Sequence, residues 1–507
     1  MTAKHASLWL DRPRPAANPP IPDGSRVDVV VIGAGLTGLC TALELSRSGA
    51  TVAVLDARRA GSVTTGRTTG KISLLQGTKL SQIAARCPRD VVRAYVDANR
   101  NGRRRLLDLC RSFGVPVQIE TAYTYATTPG GTAALADEFE AASGAGLDVG
   151  WNDFSDLPFP VTGAIALAEQ AQFDPVDLVE ALVHALRERG VLVVENTRVR
   201  IVSRGLGRTA VHHAGGSLTA DRVVLATGTP ILDRGSFFAR LEPRRSYCLA
   251  VAGVDRPPRG MYLSADSPTR SLRYVPTADG ELLVVGGNGH TVGRGGATKP
   301  RVADLIDWTG RHFPGGDVTH MWSAQDYHST DEMPLVGGVL PGDDRILVAS
   351  GYDKWGMTNA AAAADMIAAR IRGEPREWAK PFDPWALSRA PRSAAPTLEL
   401  NAAVAVEMAK GWTAPLVRSR SSTPPEGTGH VHAGVPVPEA VCTVGGRTHR
   451  VSAVCPHLGG IVRWNDAERS WDCPLHGSRF TPEGRLLEGP ATRDLSGSDC
   501  VADLRGK

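Results

Sequence analysis

The sequence contains no long apolar run and no dense group of cysteines. No stretch reaches the roughly 18 uninterrupted apolar residues of a membrane-spanning helix, and the proline-rich beginning lacks the apolar core of a signal peptide. The eight cysteines are spread over 507 residues, which is too sparse for a disulfide framework. We therefore expect a cytoplasmic protein with reduced thiols and no membrane partner.

An excess of charge of either sign is also missing. The chain has 57 Lys and Arg against 53 Asp and Glu, a formal net charge of +4. This balance gives no indication of a nucleic-acid partner. A chain of this length exceeds what one hydrophobic core usually supports, so two or three domains with room for buried cofactors are expected.

A glycine-rich fingerprint follows the first apolar run, residues 27–32. An apolar-periodic helix pattern comes next, and a second short strand, residues 51–55, delivers Asp56 eighteen residues after the last glycine. Glycines let the backbone approach a pyrophosphate, the helix N-terminus stabilises its charge, and Asp56 can bind a ribose hydroxyl. The pattern predicts a dinucleotide site whose glycines are Gly33, Gly35 and Gly38.

Three later segments favour FAD over NAD. Residues 61–70 form a small, hydroxyl-rich loop that can wrap the phosphates and the flavin edge. A buried strand at 223–225 ends in a small-residue turn. A strand at 345–351 leads into an alanine-rich helix, whose first N–H groups can stabilise a reduced flavin. The candidate cofactor contacts in these segments are Thr64, Thr65, Gly66, Arg67, Thr68, Thr227, Gly228, Gly351, Trp355, Gly356, Met357 and Thr358.

These segments, in this order, resemble the D-amino-acid oxidase and glycine oxidase superfamily of FAD enzymes over residues 26–380. The resemblance implies an α/β fold in which a Rossmann-like FAD domain is interleaved with a β-rich substrate domain, about residues 81–160 and 236–320. Some members tether the flavin through a His in the early loop or a Cys before the last strand. Here Arg67 lies near the first place and no Cys occurs between 249 and 441, so we expect non-covalent FAD.

The resemblance also implies a reaction, the oxidation of a C–N bond by hydride transfer to the flavin. It places Tyr247, Arg273 and His290 on substrate-domain strands that face the flavin. Arg273 can pair with a substrate carboxylate, although a surface or interdomain arginine is the alternative. His290 is the candidate base for a cationic amine.

Near the end of the chain, two short loops each contain one Cys and one His, as Cys455-x-His457 and Cys473-x-x-His476. Two Cys and two His also make a structural zinc site, but zinc ligands usually come as two Cys followed by two His. The mixed loops suit a Rieske [2Fe–2S] centre, in which Cys ligates one iron and His the other. The surrounding residues resemble Rieske domains.

That second resemblance implies a small all-β domain at residues 431–507. An arm at residues 1–25 precedes the FAD-dependent part. A Pro-, Ser- and Ala-rich linker at 381–430, with a possible helix over 398–410, separates the two parts.

Four positions refine the Rieske resemblance. High-potential members carry an extra Cys in each loop, joined as a disulfide, where this chain has Gly460 and Leu475. Ser478 is retained and can donate a hydrogen bond toward a sulfide, whereas Phe480 replaces a frequent Tyr. We expect unbraced loops and a low or intermediate potential within the Rieske range of about −150 to +300 mV.

The two sites together predict a redox enzyme. A small amine or amino-acid substrate would give a hydride to FAD, and the [2Fe–2S] cluster would relay electrons singly to an external acceptor or redox partner protein. The alternative is a reductase that passes electrons through FAD and the cluster to a partner oxygenase. Such a reductase needs a nicotinamide site, and no second strand–glycine–helix pattern is present.

Overall fold

A mostly parallel sheet carries the glycine fingerprint at its centre. The computed structural model describes residues 3–14, 23–152, 156–205, 207–417 and 423–496. Strand Ser25–Ile32 pairs in parallel with two neighbours. Its last four residues are buried between helices on one face and, on the other, further strands together with Phe237 and Tyr327. The sheet order is Leu335–Gly338, Ile346–Ser350, Gly216–Leu225, Ser25–Ile32, Val52–Leu55 and Leu192–Val194, with Val199–Arg204 and Thr209–His213 extending it beside Gly216–Leu225.

A second, larger sheet lies beside the first and is antiparallel except where Met261–Ser264 pairs with Val117–Ala126. Three of its strands, Lys71–Ile72, Gly163–Phe173 and Asp317–Ser329, lie wholly or partly outside the predicted substrate-domain ranges. Strand pairing in this sheet joins segments that are distant in sequence, and local sequence patterns do not reveal such pairing. The order is Asp317–Ser329, Leu241–Ala252, Gly280–Thr291, Arg270–Thr277, Met261–Ser264, Val117–Ala126, Gly163–Phe173 and Lys71–Ile72, with Gly150–Asn152 beside Gly163–Phe173.

Helices pack on the first sheet through small residues. The alanine-rich helix Gly356–Ile371 contacts helices Leu36–Arg47 and Arg89–Phe113. A Cβ on Gly102 would lie 2.0 Å from the Thr358 carbonyl oxygen, so this crossing depends on glycine. Among the described residues, no helix is both long and apolar enough to cross a membrane. The remaining helices are Lys79–Ala84, Pro129–Gly144, Pro175–Glu188, Lys299–His312 and Ala390–Val417, with short 3₁₀ segments Thr65–Arg67, Arg234–Ala239, Glu377–Phe382 and Leu387–Arg389.

The C-terminal part is a small all-β unit reached through a long helix. Helix Ala390–Val417 is longer than the predicted 398–410, and the first strand of the unit, Gly429–His432, begins just before the predicted boundary. Trp471, Phe480 and Leu475 are buried in its core. Its strands are Gly429–His432, Glu439–Val444 and Arg447–Ser452 in one sheet, and Arg463–Asn465, Ser470–Asp472, Arg479–Phe480 and Leu486–Glu488 in another.

A buried group of charges joins this unit to the second sheet. Arg245, whose side chain has no exposed surface, lies 3.0 Å from Glu468 and 2.7 Å from Glu488. Arg479 adds an ion pair of 2.9 Å with Asp472. Removing one partner from such a buried set leaves an uncompensated charge. The two ion pairs of Arg245 therefore fix the small unit against the sheet, whereas the pair of Arg479 lies within the unit.

Candidate active site and cluster site

A cavity of about 530 Å³ opens between the two large sheets. Helix Leu36–Arg47 and helix Gly356–Ile371 both begin at its wall, and neither N-terminus is capped by a side chain of its N-cap residue. The Leu36 N–H donates to Thr65 Oγ1 at 3.2 Å, and the N–H groups at a helix start together suit a phosphate or a developing negative charge. The cavity thus offers two anion-stabilising positions, as an FAD molecule requires.

The glycine fingerprint forms the tight turn that the sequence predicts. Gly33 has a φ of +107°, and a Cβ there would lie 2.3 Å from the Ala226 carbonyl oxygen. The Asp56 carboxylate accepts hydrogen bonds from the backbone N–H groups of Ala34 (2.7 Å) and Arg58 (2.8 Å). Burial raises the pKa of Asp56 to about 6. Its position on the cavity wall fits a ribose contact.

Most of the predicted cofactor contacts line this cavity. They are Gly33, Gly35, Asp56, Thr64, Thr65, Arg67, Thr68, Thr227, Gly228, Trp355, Gly356 and Met357.

Four others lie behind the wall and support it. Gly38 packs against Gly33, since a Cβ at 38 would lie 1.9 Å from the Gly33 carbonyl oxygen. Gly66 binds the N-terminal arm through its carbonyl, Gly351 takes a φ of +76°, and the Thr358 hydroxyl donates to Asn99 Oδ1 at 2.5 Å.

The N-terminal arm braces the hydroxyl-rich loop, which sequence reasoning did not anticipate. Ser7 Oγ donates to the Gly66 carbonyl at 2.6 Å, and the indole N–H of Trp9 donates to the Thr68 carbonyl at 2.7 Å. Trp9 is buried. An isolated Trp within a proline-rich arm is the one sequence signal that could have indicated this packing.

The floor of the cavity is formed by one row of small side chains from the second sheet. Cys248, Gly286 and Ser271 are cross-strand neighbours in this row. Lys71 closes it from below, with its Nζ donating to the Tyr262 carbonyl (2.7 Å) and to Ser271 Oγ (2.8 Å). Burial lowers the pKa of Lys71 to about 7. The row therefore offers a flat surface with one titratable amine.

A strained loop completes the wall at the start of helix Gly356–Ile371. Asp353 and Lys354 both take positive φ values, +46° and +71°. Lys354 has protein on all sides, but its side chain projects into the cavity and is therefore accessible to solvent there. Beneath the loop, Lys79 lies 2.8 Å from Glu332 and 2.9 Å from Asp353. This buried pairing stabilises backbone conformations that non-glycine residues rarely adopt.

The predicted catalytic residues are not brought together around the cavity. His290 lies outside the wall, where it stacks on the Tyr247 ring at 5.6 Å, and burial lowers its pKa to about 4. Tyr247 reaches the wall, but its ring belongs to that stack. The residue next to His290, Gly289, lines the cavity instead. The pairing of this strand shifts register between Arg245 and Tyr247, where Asn288 takes a φ of +54°, and this β-bulge turns His290 away from the face that carries Gly286.

The structure also does not support the predicted pairing of Arg273 with a substrate carboxylate. Its Nη1 donates to the carbonyls of Thr69 (2.7 Å), Gly70 (3.0 Å) and Phe173 (3.1 Å), and its Nε donates to the Tyr274 carbonyl at 3.1 Å. The side chain is buried and is not part of the cavity wall. Arg273 therefore holds the hydroxyl-rich loop in place and is not positioned to bind a substrate carboxylate.

The two Cys–His loops have the same backbone hydrogen bonds. Gly459 N–H donates to the Cys455 carbonyl and Gly477 N–H donates to the Cys473 carbonyl, both at 3.1 Å. The N–H groups of the two cysteines complete each turn by donating, at 2.8 Å, to the carbonyls of Gly460 and Ser478. Twin loops of this kind present one thiol and one imidazole each, which is the symmetry of a Rieske centre.

The donor atoms also fit an iron–sulfur cluster. The His457 and His476 rings lie 5.0 Å apart, and His476 Nδ1 is buried without a hydrogen-bond partner among the described residues. The thiols of Cys455 and Cys473 are close enough to share a hydrogen bond, which is the main cause lowering the pKa of Cys455. Ser478, fully buried, also directs its hydroxyl toward Cys455.

The cluster unit forms part of the FAD cavity, a relationship the sequence did not reveal. Its residues Leu487, Glu488, Gly489 and Ala491 line the wall. Arg198 Nη2 donates to the Leu486 carbonyl at 3.2 Å. Tyr327 and Gln325, both cavity residues, donate to the carbonyls of Gly489 (3.1 Å) and Gly477 (2.9 Å). The flavin site and the cluster site are therefore contiguous.

The fold and the two sites define a flavoprotein oxidoreductase that carries a Rieske-type cluster. Residues 28–370 match the family model described as FAD dependent oxidoreductase, and residues 417–499 match the Rieske [2Fe-2S] domain model. The chain belongs to the FAD dependent oxidoreductase family and carries a Rieske domain. The FAD-dependent part binds FAD and the Rieske domain binds a [2Fe–2S] cluster.

One relative matches nearly the whole chain, and others match only a short part of it. YhfW of Bacillus subtilis (strain 168), whose name describes a Rieske 2Fe-2S iron-sulfur protein, is 30% identical over 95% of this chain and 95% of its own length. The cytochrome b6-f complex iron-sulfur subunit of Fritillaria agrestis is 43% identical over 12% of this chain and 26% of its own.

Solved structures show the fold of the FAD-dependent part. Glycine oxidase from Geobacillus kaustophilus has a TM-score of 0.59 at 19% identity, over 71% of this chain and 98% of its own. L-Proline dehydrogenase from P. horikoshii has a TM-score of 0.58 at 17% identity, over 73% and 99%. The predicted fold class is confirmed.

Proposed function

We propose that the chain oxidises a small amine or amino acid at its C–N bond and passes the electrons singly through the Rieske cluster to an external acceptor. The observation that carries the proposal is the shared wall, since Rieske residues 487–489 and 491 line the same cavity as the FAD fingerprint. The names of the structural neighbours, glycine oxidase and L-proline dehydrogenase, support the substrate class.

When bound, FAD accepts a hydride and can release electrons singly, and the [2Fe–2S] cluster takes one electron at a time. Amine oxidation removes a hydride from carbon and a proton from nitrogen and leaves an imine. The two electrons of the hydride reduce two equivalents of a one-electron acceptor. In the proposal, Cys455, His457, Cys473 and His476 are the cluster ligands.

The chain's own residues supply the positioning and the proton acceptor. The row of Cys248, Gly286 and Ser271 lets a small substrate lie flat on the sheet. Lys71, whose pKa is lowered to about 7, is hydrogen-bonded to Ser271 and is the candidate acceptor for the amine proton, relayed through that hydroxyl. Lys71 takes the place that the sequence assigned to His290.

The test is anaerobic titration of the purified protein with amines, amino acids and N-alkyl amino acids, following flavin absorbance and the EPR signal of the reduced cluster. We expect one substrate class to bleach the flavin and then reduce the cluster. A Cys473→Ser variant that keeps FAD should still bleach but should no longer reduce an external one-electron acceptor. Rapid bleaching of the flavin by NADH, with no bleaching by amines, would contradict the dehydrogenase proposal and favour the reductase alternative.

A further inference from the structure

The imidazole edge of the cluster site faces the FAD-dependent part of the same chain. The Phe238 ring lies against both imidazoles, 5.8 Å from His457 and 5.2 Å from His476. Asp233 Oδ1 lies 2.6 Å from His457 Nε2. The His457 side chain is 6% exposed and His476 is 5% exposed. Within the described structure, a docking protein has little access to this edge.

The segment that covers the histidines begins at the cavity. It leaves the strand Gly216–Leu225 through Thr227, Gly228 and Ile231, which all line the cavity, and then reaches Asp233.

The turn that follows fixes which side chains face the cluster. Gly235 and Ser236 take positive φ values of +77° and +50°, and a Cβ on Gly235 would lie 2.3 Å from the Val339 carbonyl oxygen. Phe237 is buried against Trp385 at 6.3 Å. With Phe237 anchored in the core, Phe238 and Asp233 point toward the histidines.

A second connection joins the cavity to the other cluster loop. Gln325 lines the cavity, and its Nε2 donates to the carbonyl of Gly477, the residue after His476, at 2.9 Å. Its Oε1 accepts from Arg245 Nη2 at 3.0 Å. A single buried side chain therefore separates the cavity from a ligand loop.

We propose that electrons enter the cluster through this histidine edge, from the flavin of the same chain, with Asp233 and Gln325 as positioning residues. The inference rests on the proposed function in taking the flavin as donor. Two electrons per substrate cross the contact one at a time and leave to two equivalents of a one-electron acceptor. The protons go to solvent.

Asp233 has a further consequence for the energetics of the cluster. A ligating histidine that donates its second N–H to a carboxylate becomes a more basic ligand. Added negative charge near the cluster disfavours its reduced form, so Asp233 lowers the cluster potential. Asn at this position keeps a hydrogen-bond acceptor for His457 but removes the charge.

The experiment measures the cluster potential by EPR-monitored redox titration of the full-length holoprotein. Asp233→Asn should shift the equilibrium about tenfold toward reduction, ~59 mV for one electron. Asp255→Asn changes an exposed carboxylate that has no contact with the cluster loops within the described part of the chain, and it should leave the potential unchanged. An Asp233→Asn potential equal to wild type, or an equal shift in Asp255→Asn, would overturn the role of Asp233.

Electron exchange between flavin and cluster is measured after flash photoreduction without any substrate. Gln325→Met should slow the exchange, with FAD and iron content as in wild type; an unchanged rate would overturn the route. If Gln325→Met does not retain both cofactors, Phe238→Leu replaces it, with the same slowing expected. Because no substrate is used, failure of the amine titration would reject the proposed function without altering this result.

Discussion

Leu475 packs directly over the α-carbon of Gly460. A Cβ on Gly460 would lie 2.6 Å from Leu475 Cδ1 and 3.0 Å from Cys473 Sγ, and Leu475 is buried. These are the two positions at which high-potential Rieske proteins are expected to carry a disulfide. In this chain, apolar packing takes the place of a covalent brace between the two loops.

Gly460→Ala should reduce cluster incorporation, because the added methyl group fits only if Leu475 or the ligand Cys473 moves. Leu475→Ala alone should keep the cluster and destabilise the domain by about 2–5 kcal/mol through loss of packing. The double variant should recover cluster content relative to Gly460→Ala. Iron per chain and EPR amplitude measure the cluster content of all three variants. Full cluster content in Gly460→Ala would contradict the packing argument.

Ser478→Ala should lower the cluster potential. The Ser478 hydroxyl is fully buried and faces Cys455, so it can stabilise the extra negative charge of the reduced state. A hydrogen bond of about 0.5–1.5 kcal/mol corresponds to roughly 20–60 mV for one electron. Redox titration checks the shift, with Ser452→Ala in the same domain as the control.

A wild-type potential near the top of the Rieske range would refute the low or intermediate value we expect.

Lys71→Met should abolish the pH dependence of flavin reduction by substrate. In the wild type, the rate should rise with pH through about 7 as Lys71 loses its proton. The ordinary pKa of lysine is 10.5, so between pH 7 and 10.5 the unfolded chain binds a proton that the folded chain does not. Stability from this group therefore rises with pH over that window, by at most about 1.4 kcal/mol per pH unit.

Stopped-flow reduction and urea unfolding at several pH values test both effects of Lys71. A variant with the wild-type pH profile of reduction would exclude Lys71 as the proton acceptor. Loss of the pH-dependent rise in stability, with catalysis unchanged, would leave Lys71 with a structural role only.

Lys79→Met should destabilise the protein by up to about 3–5 kcal/mol, because Glu332 and Asp353 lose their closest cation and keep only His328 and the more distant Arg86 and Arg244. The matched control is Lys380→Met, which removes an exposed pair with Glu377 and should change stability by less than about 0.5 kcal/mol. Urea denaturation of both variants provides the comparison. Equal stability of the Lys79→Met and Lys380→Met variants would show that the protein does not depend on the buried ion pairs of Lys79.

The sequence by itself determined the cofactors and the class of fold. Gly33, Asp56 and the twin Cys–His loops carry local signals, because the chemistry of each site depends on short segments with fixed spacing. The family matches confirm FAD, the [2Fe–2S] cluster and the α/β plus all-β architecture.

Only the tertiary structure decided which side chains face the cavity and how the two parts meet. His290 and Arg273 lie on the predicted strands, but a β-bulge at Asn288 turns His290 away from the cavity, and four backbone carbonyls hold Arg273 behind its wall. Lys71 and Gln325 reach the cavity through pairing between segments far apart in sequence. The contact of Asp233 with His457 joins residues 224 positions apart, and no local pattern encodes such a contact.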